Sequence, residues 1–269
     1  MFMSTRCACG GSHVRTTDRV RKDPGLVRVR RLEERYARDL RKIARHVGEI
    51  INAWAPRNGE FDLSKVPGLR AALARYAEAI TPWAETTAGR IIEEIAIREK
   101  RSWAEHAKAM SLSLRQELNS APTGLATRRI LAEHVRLITS LPTEAAERVH
   151  RLTLQGLETS NRASTIAREI MRSGEVTQSR ANLIARTEVS RTASTLLQAR
   201  AEHIGSVGYI WRTAEDSDVR PSHQAMQGEF VRWDKPPTLD GMTGHAGGLP
   251  NCRCYPEPVI PAMVWKRAA

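Results

Sequence analysis

The sequence predicts an α+β fold that is mainly α, with an elongated N-terminal helical region followed by a small C-terminal module of a short antiparallel β-hairpin and long loops. Three observations predict it. Apolar residues recur at spacings of three and four over most of residues 26–204. After Gly205, residues 207–213 and 229–233 alternate in the manner of short strands. Aromatic side chains make up only 5% of the chain, too few to seed a large β-sandwich.

Residues 1–25 lack helical periodicity and carry a Gly pair, a Pro and several Arg and Lys, which predicts a flexible basic arm. Cys7, Cys9 and His13 offer three metal donors there, without a fourth in sequence reach. Val29, Leu32, Tyr36, Leu40, Ile43, Val47, Ile50 and Ile51 then mark an amphipathic helix over residues 26–54. Its opposite face carries Arg30, Arg31, Arg35, Arg38, Arg41, Lys42 and Arg45. Such a stripe can neutralise phosphates without regard to base sequence, meet an acidic protein, or simply be a solvated face.

Residues 56–62 punctuate the chain, and a second helix opens near Ser64 or Pro67-Gly68 and runs to Ile80. Thr81-Pro82 has the pattern of an N-cap followed by proline in the first helical position. The helix it opens extends to Leu118, with Ile91, Ile92, Ile95, Ile97, Trp103, Ala107 and Met110 on its buried side. Residues 119–124 end it, and three shorter helices follow over 125–140, 143–157 and 161–173. Leu141-Pro142 is the first boundary, Ser160 a cap and Gly174 a C-terminal stop. A last long helix spans residues 178–204, packed through Leu183, Ile184, Leu196 and Leu197. Arg186, Thr187, Glu188 and Arg191 interrupt its apolar face, and Glu188 and Arg191 are spaced to pair. The resulting segments are the arm 1–25, a helical region 26–158, a module 159–260 and a tail 261–269.

Charge divides the chain in the same sense. The net charge is +12 and the pI about 10.2 over 269 residues, which points to an anionic partner. Residues 1–50 hold 13 Lys and Arg against 6 Asp and Glu, whereas residues 205–269 hold 7 of each. A nucleic-acid footprint therefore belongs to the helices and not to the C-terminal module. Four cysteines fall in two C-x-C pairs, which do not readily close on themselves, so a disulfide scaffold is not expected. No apolar run reaches the length of a membrane span and the N-terminus has no hydrophobic signal core, so the expectation is a protein made and used in the cytosol, without a membrane partner.

The chemistry is concentrated between Asp216 and Cys254. Residues 216–228 connect the two strands, residues 235–249 form a Pro/Gly loop, and residues 255–259 are a final extended piece. His223, His245, Cys252 and Cys254 are donors of the type that Zn²⁺ takes tetrahedrally, which makes a structural zinc site one arrangement of this module. The other is a metal-free knot. In it Arg220 and Arg253 bond loop carbonyls or Asp216, Asp218 and Glu188, and the imidazoles and Asn251 satisfy turn backbone. A metal-dependent hydrolase or nuclease is a third possibility, but no H-E-x-x-H pair is present and the module has no net charge to hold a nucleic acid.

An ordered set of motifs runs through this half of the chain: Ala185-Arg186-Thr187-Glu188, Tyr209-Ile210-Trp211, Asp218-Val219-Arg220-Pro221-Ser222-His223, Gln227-Gly228-Glu229-Phe230-Val231 and Pro250-Asn251-Cys252-Arg253-Cys254. Together they resemble the phage Mu F-like minor head protein, or phage head morphogenesis, domain over roughly residues 160–260. Where many relatives carry C-P-x-C, this sequence has Arg220-Pro221-Ser222-His223 and resembles the R-P-S-H branch; an arginine and an imidazole replace two thiols, against any four-cysteine metal site. The resemblance implies a low-copy virion protein of the head that assembles with portal protein and with major capsid or scaffold protein, in some relatives also with phage DNA. It implies no established cofactor or catalytic activity, and a path from host cytoplasm to the capsid interior. The alternative class is a helical nucleic-acid-binding protein outside virions.

Overall fold

In the computed structural model, residues 13–14, 24–54, 63–106, 123–158 and 163–261 are described. They form a mainly helical α+β protein with short antiparallel strands toward the C-terminus. No helix among them is long and apolar enough to cross a membrane.

Helix α1 (Pro24–Ala53) follows the periodicity of its sequence and buries Leu32, Tyr36, Leu40, Ile43, Val47 and Ile51. A 3₁₀ turn (Leu63–Lys65) leads into α2 (Val66–Ala79), where Pro67 occupies a first-turn position that needs no N–H donor. Helix α3 (Thr81–His106) starts one residue later, and Thr81 does not cap it. Its hydroxyl bonds back to Ala77 O at 3.4 Å, while Ile80 keeps helical dihedrals and donates its N–H to Tyr76 O, so the chain passes from α2 to α3 without unwinding. Ile91, Ile92 and Ile95 are buried as expected; Ile97 is 45% exposed, because two residues beyond Ile95 is about 200° around the helix. The arm's Cys7 and Cys9, the 56–62 punctuation, the side chain of Trp103, Ala107, Met110, the end at Leu118, the cap Ser160 and residues 262–269 lie outside the described residues.

The expected break at Leu141-Pro142 is corrected: α4 (Gly124–Glu158) runs straight through it. Proline there removes one helical N–H, and the surrounding hydroxyls supply bonds to carbonyls of the same stretch. Thr139 Oγ1 donates to Val135 O, Ser140 Oγ to Leu137 O and Thr143 Oγ1 to Thr139 O. After α5 (Ala163–Met171), α6 (Ser173–His203) begins earlier than its sequence suggests. Gly174 is not a stop but lies in the first turn of α6, where an added Cβ would sit 3.2 Å from Gly48 Cα; the residue permits close approach of α1 and α6.

Contacts group the chain into two compact units. One comprises Glu33–Arg90 and Leu131–Arg186, with a core of α1, α2, α4 and α5 side chains such as Val47, Leu69, Leu73, Val149 and Ile170. The other comprises Met1–Leu32, Ile91–Ile130 and Thr187–Ala269, and its core joins Ala201 of α6 and Ile204 just beyond it to Tyr209, Trp211, Val231 and Trp233.

The second of these contains the sheet. Strand β2 (Gly208–Arg212) pairs antiparallel with β3 (Phe230–Arg232), as expected, and on its other side with β6 (Tyr255–Pro261), in register Tyr209↔Val231 and Tyr209↔Pro258. His13–Val14, placed by sequence in a mobile arm, forms a short strand β1 on the outer edge of β6, giving the order β1-β6-β2-β3. The 216–228 connection contains the single-turn helix α7 (Pro221–Gln224). The 235–249 stretch is not all loop: β4 (Thr238–Leu239) and β5 (Met242–Thr243) close a small hairpin on Asp240 and Gly241, both in the left-handed region as a type I′ turn requires.

Candidate functional site

Residues 246–251 return to α6 and are tied to it along one stripe. Asn251 donates its backbone N–H to Thr187 Oγ1 at 3.1 Å, Arg191 Nε donates to Gly248 O at 3.1 Å, and Ser194 Oγ donates to Ala246 O at 2.8 Å. Thr187, Arg191 and Ser194 are spaced four and three apart, so successive turns present them on a single helix face. Thr187 and Glu188 are buried, and Glu188 is neutralised by Arg191 Nη1 at 2.9 Å, the pairing expected from their spacing. Gly247 has φ +79, and a Cβ there would lie 2.2 Å from Ser194 Oγ and 3.0 Å from Cys254 O. Only glycine lets the loop press onto the helix at this point.

The returning segment carries Cys252 and Cys254 beneath α7. Pro221 starts that single turn where its missing N–H is not needed, Arg220 is its extended N-terminal neighbour, and His223 projects inward from it, 2% exposed. His223 Nδ1 lies 3.5 Å from both Cys252 Sγ and Cys254 Sγ, each residue 3% exposed. The ring meets Trp211 edge-on, with centroids 5.5 Å apart and planes at 88°. Arg220 closes the other side: Nη2 donates to Pro250 O, and Nη1 stands 3.4 Å from His223 Nε2.

The two thiols share a proton unequally. The hydrogen bond from the Cys254 thiol draws Cys252 down to about 5 against its own burial, with further help from the backbone of Gly247 and from His223. Cys254 is raised in turn, first by that same bond and then by burial, although Trp211 and Arg220 act in the opposite sense. Both cysteines are free.

The four-residue donor set of the sequence divides here. His223, Cys252 and Cys254 bring their donor atoms within 4.8 Å of one another, the cluster among the described residues that could hold a metal. His245 is not part of it. Tyr209 Oη accepts the Ala246 N–H at 3.1 Å and lies 3.2 Å from His245 Nδ1, while the imidazole is also bonded to the backbone of Trp233. Tyr209 can thus donate onward, with His245 neutral between two partners. Burial is the main reason its pKa is below the ordinary value.

The remaining motif residues fasten the module's rim. Arg253 Nη2 reaches Asp216 Oδ1 and Asp218 Oδ2 at 2.7 Å each, and Ser222 Oγ donates to Asp240 Oδ2 at 2.7 Å. Gly228 has φ +85 and donates to Trp211 O at 2.9 Å, leading the chain into β3. Arg186 is exposed. Ser194 and Gly247 are site residues that sequence reasoning missed; the signal was a helix with hydroxyls at 190 and 194 where apolar residues would otherwise pack. The basic stripe is reduced. Arg30, Arg31, Arg38, Lys42 and Arg45 are exposed, but Lys42 is held by Asp39 at 2.8 Å. Arg35 and Arg41 are half-buried, and Arg41 donates to Asn182 Oδ1 at 2.9 Å.

Residues 147–256 match the family described as Phage Mu protein F like protein, the family that the motifs resemble. An uncharacterized protein of Haemophilus influenzae is 31% identical over 131 residues, which are 49% of this chain and 29% of that protein. The chain thus matches less than a third of that relative's length. No solved structure matches.

Proposed function

We propose, taking the Phage Mu protein F like segment 147–256 as premise, that this chain is a minor head protein acting in phage head morphogenesis, with its helices docked on portal, major capsid or scaffold protein. The observation that carries the reading is the tie of residues 246–251 to Thr187, Arg191 and Ser194. The family's motif residues serve here to fasten loops onto a helix, which yields a rigid knob of fixed shape rather than an open cleft, and a pre-organised surface is what a low-copy adaptor requires. Assembly in host cytoplasm and retention in the virion follow from that role. Co-sedimentation with DNA-free procapsids of the cognate phage tests it. Association that survives nuclease and is weakened by Gly247→Val is expected, and absence of the chain from procapsids and virions would reject it.

Phage DNA is a second partner, favoured by Arg30, Arg31, Arg38 and Arg45 lying exposed on α1. Binding through them is sequence-independent and falls steeply with salt. Substituting all four by Gln should lower the slope of log affinity against log salt by roughly one per contacting residue. An unchanged slope would remove these arginines from any DNA contact.

A further inference from the structure

We infer that His223, Cys252 and Cys254 form a binding site for one thiophilic divalent cation, for which Zn²⁺ is the natural occupant. The site stands whether or not the chain is a head protein.

The donors converge as a tetrahedral ion demands. Zn²⁺ takes sulfur at about 2.3 Å and imidazole nitrogen at about 2.0–2.1 Å, and at a tetrahedral angle those bonds place nitrogen and sulfur about 3.6 Å apart. His223 Nδ1 stands 3.5 Å from each of the two sulfurs. Two edges of the coordination polyhedron are therefore already in place, on residues that are 2% and 3% exposed and need no rearrangement to be desolvated. The donors are also held. Trp211 packs its ring edge-on to the imidazole, Pro221 sets the turn that carries His223, and the Asn251–Thr187 bond anchors the segment from which both cysteines project. Neither thiol is committed to a disulfide.

Arg220 defines what kind of site it is. It lines the same pocket, with Asp218 and Asn251, and cannot ligate. Its bond to Pro250 O is the close one; its 3.4 Å approach to His223 Nε2 lies beyond normal hydrogen-bond length and leaves Nδ1 to face the sulfurs. The described residues thus supply three ligands, and the fourth position is open to water or to another group. Position 220 lies three residues before His223, the spacing from which a cysteine could complete the set.

The test uses the full-length, untagged, reduced protein and Co²⁺ as a spectroscopic probe, followed by displacement with Zn²⁺. One equivalent should bind per chain with thiolate-to-cobalt charge-transfer absorption. His223→Ala, Cys252→Ser and Cys254→Ser should each weaken binding at least about tenfold, whereas Cys7→Ser combined with Cys9→Ser should leave it unchanged. Because the first three variants can disturb folding, Arg220→Cys serves as the opposite arm and should tighten binding at least about tenfold with unchanged circular dichroism. Absence of the band at one equivalent, its loss on removing Cys7 and Cys9, or no gain from Arg220→Cys would each overturn the inference.

Discussion

The backbone N–H of Asn251 is donated to the hydroxyl of Thr187, 3.1 Å away and 64 positions earlier in the chain. Asn251 sits at φ +55, a conformation Asn tolerates better than most residues, so the turn that precedes both cysteines is aimed at a single buried side chain. Thr187→Val keeps the shape and removes the acceptor. It should destabilise the protein by about 0.5–1.5 kcal/mol, the net worth of one hydrogen bond whose donor sits on an exposed turn residue, while Thr187→Ser should recover most of that. Chemical denaturation of the two variants beside wild type is the measurement; equal stability of Thr187→Val and wild type would mean the loop is held elsewhere.

Gly247→Ala should be costly for two separable reasons. The left-handed φ of +79 disfavours any Cβ, and that Cβ meets Ser194 Oγ at 2.2 Å and Cys254 O at 3.0 Å. The strain alone exceeds about 1 kcal/mol. Adding Ser194→Ala takes away the nearer obstacle together with the Ser194 bond to Ala246 O, so the double variant should be less destabilised than the sum of the two singles. Strict additivity in a double-mutant cycle would show that the loop does not press on α6 at this point.

His245 sets a pH dependence whose sign can be worked out. Burial holds its folded-state pKa below the ordinary value, against a raising influence from Glu202 and the Trp233 backbone. The unfolded chain therefore binds the proton more readily, and stability contributed above the unfolded pKa of about 6.5 is lost as pH falls toward the folded value. Thermal unfolding followed from pH 7.5 down to pH 5 should show a decline that is smaller in His245→Gln, which can still accept from Tyr209. A decline of the same size in both proteins would assign it to other groups.

What the sequence disclosed followed the strength of each physical signal. Helix α1 was legible because Leu32, Tyr36, Leu40, Ile43 and Val47 repeat a strong hydrophobic contrast. Helix α6 was legible as a long helix buried through Ile184 and Leu196, but not in its first turn or in the rest of its packing, since much of its buried face is Ala181, Ala185, Thr187, Thr192 and Ala201, residues with little hydropathic contrast. Pro142 misled because a proline inside a helix reads as a break although the helix continues through it, and Asp240-Gly241 was passed over because its strands are two residues long. In the site, the resemblance singled out Thr187 and Arg220, and residue type singled out the cysteines. Chain spacing carries no information on ring direction, and so His245, a sound zinc donor by type, proved to face Tyr209.

Arg220 and Arg253 look alike in sequence, and their substitutions should differ. Arg253 bridges Asp216 and Asp218, whose side chains are 41% and 76% exposed, and ion pairs of that kind contribute at most about 1 kcal/mol. Arg220 instead satisfies the Pro250 carbonyl from a half-buried position beside His223 and the two cysteines, and its removal leaves that carbonyl without its partner. Arg220→Ala should therefore cost about 1–3 kcal/mol and Arg253→Ala less than about 1 kcal/mol, the latter loss shrinking further in high salt. Urea titrations at two salt concentrations separate the cases. Should Arg253→Ala prove the more damaging, the carboxylate clasp at the rim, and not the arginine over the thiols, would be what keeps this module closed.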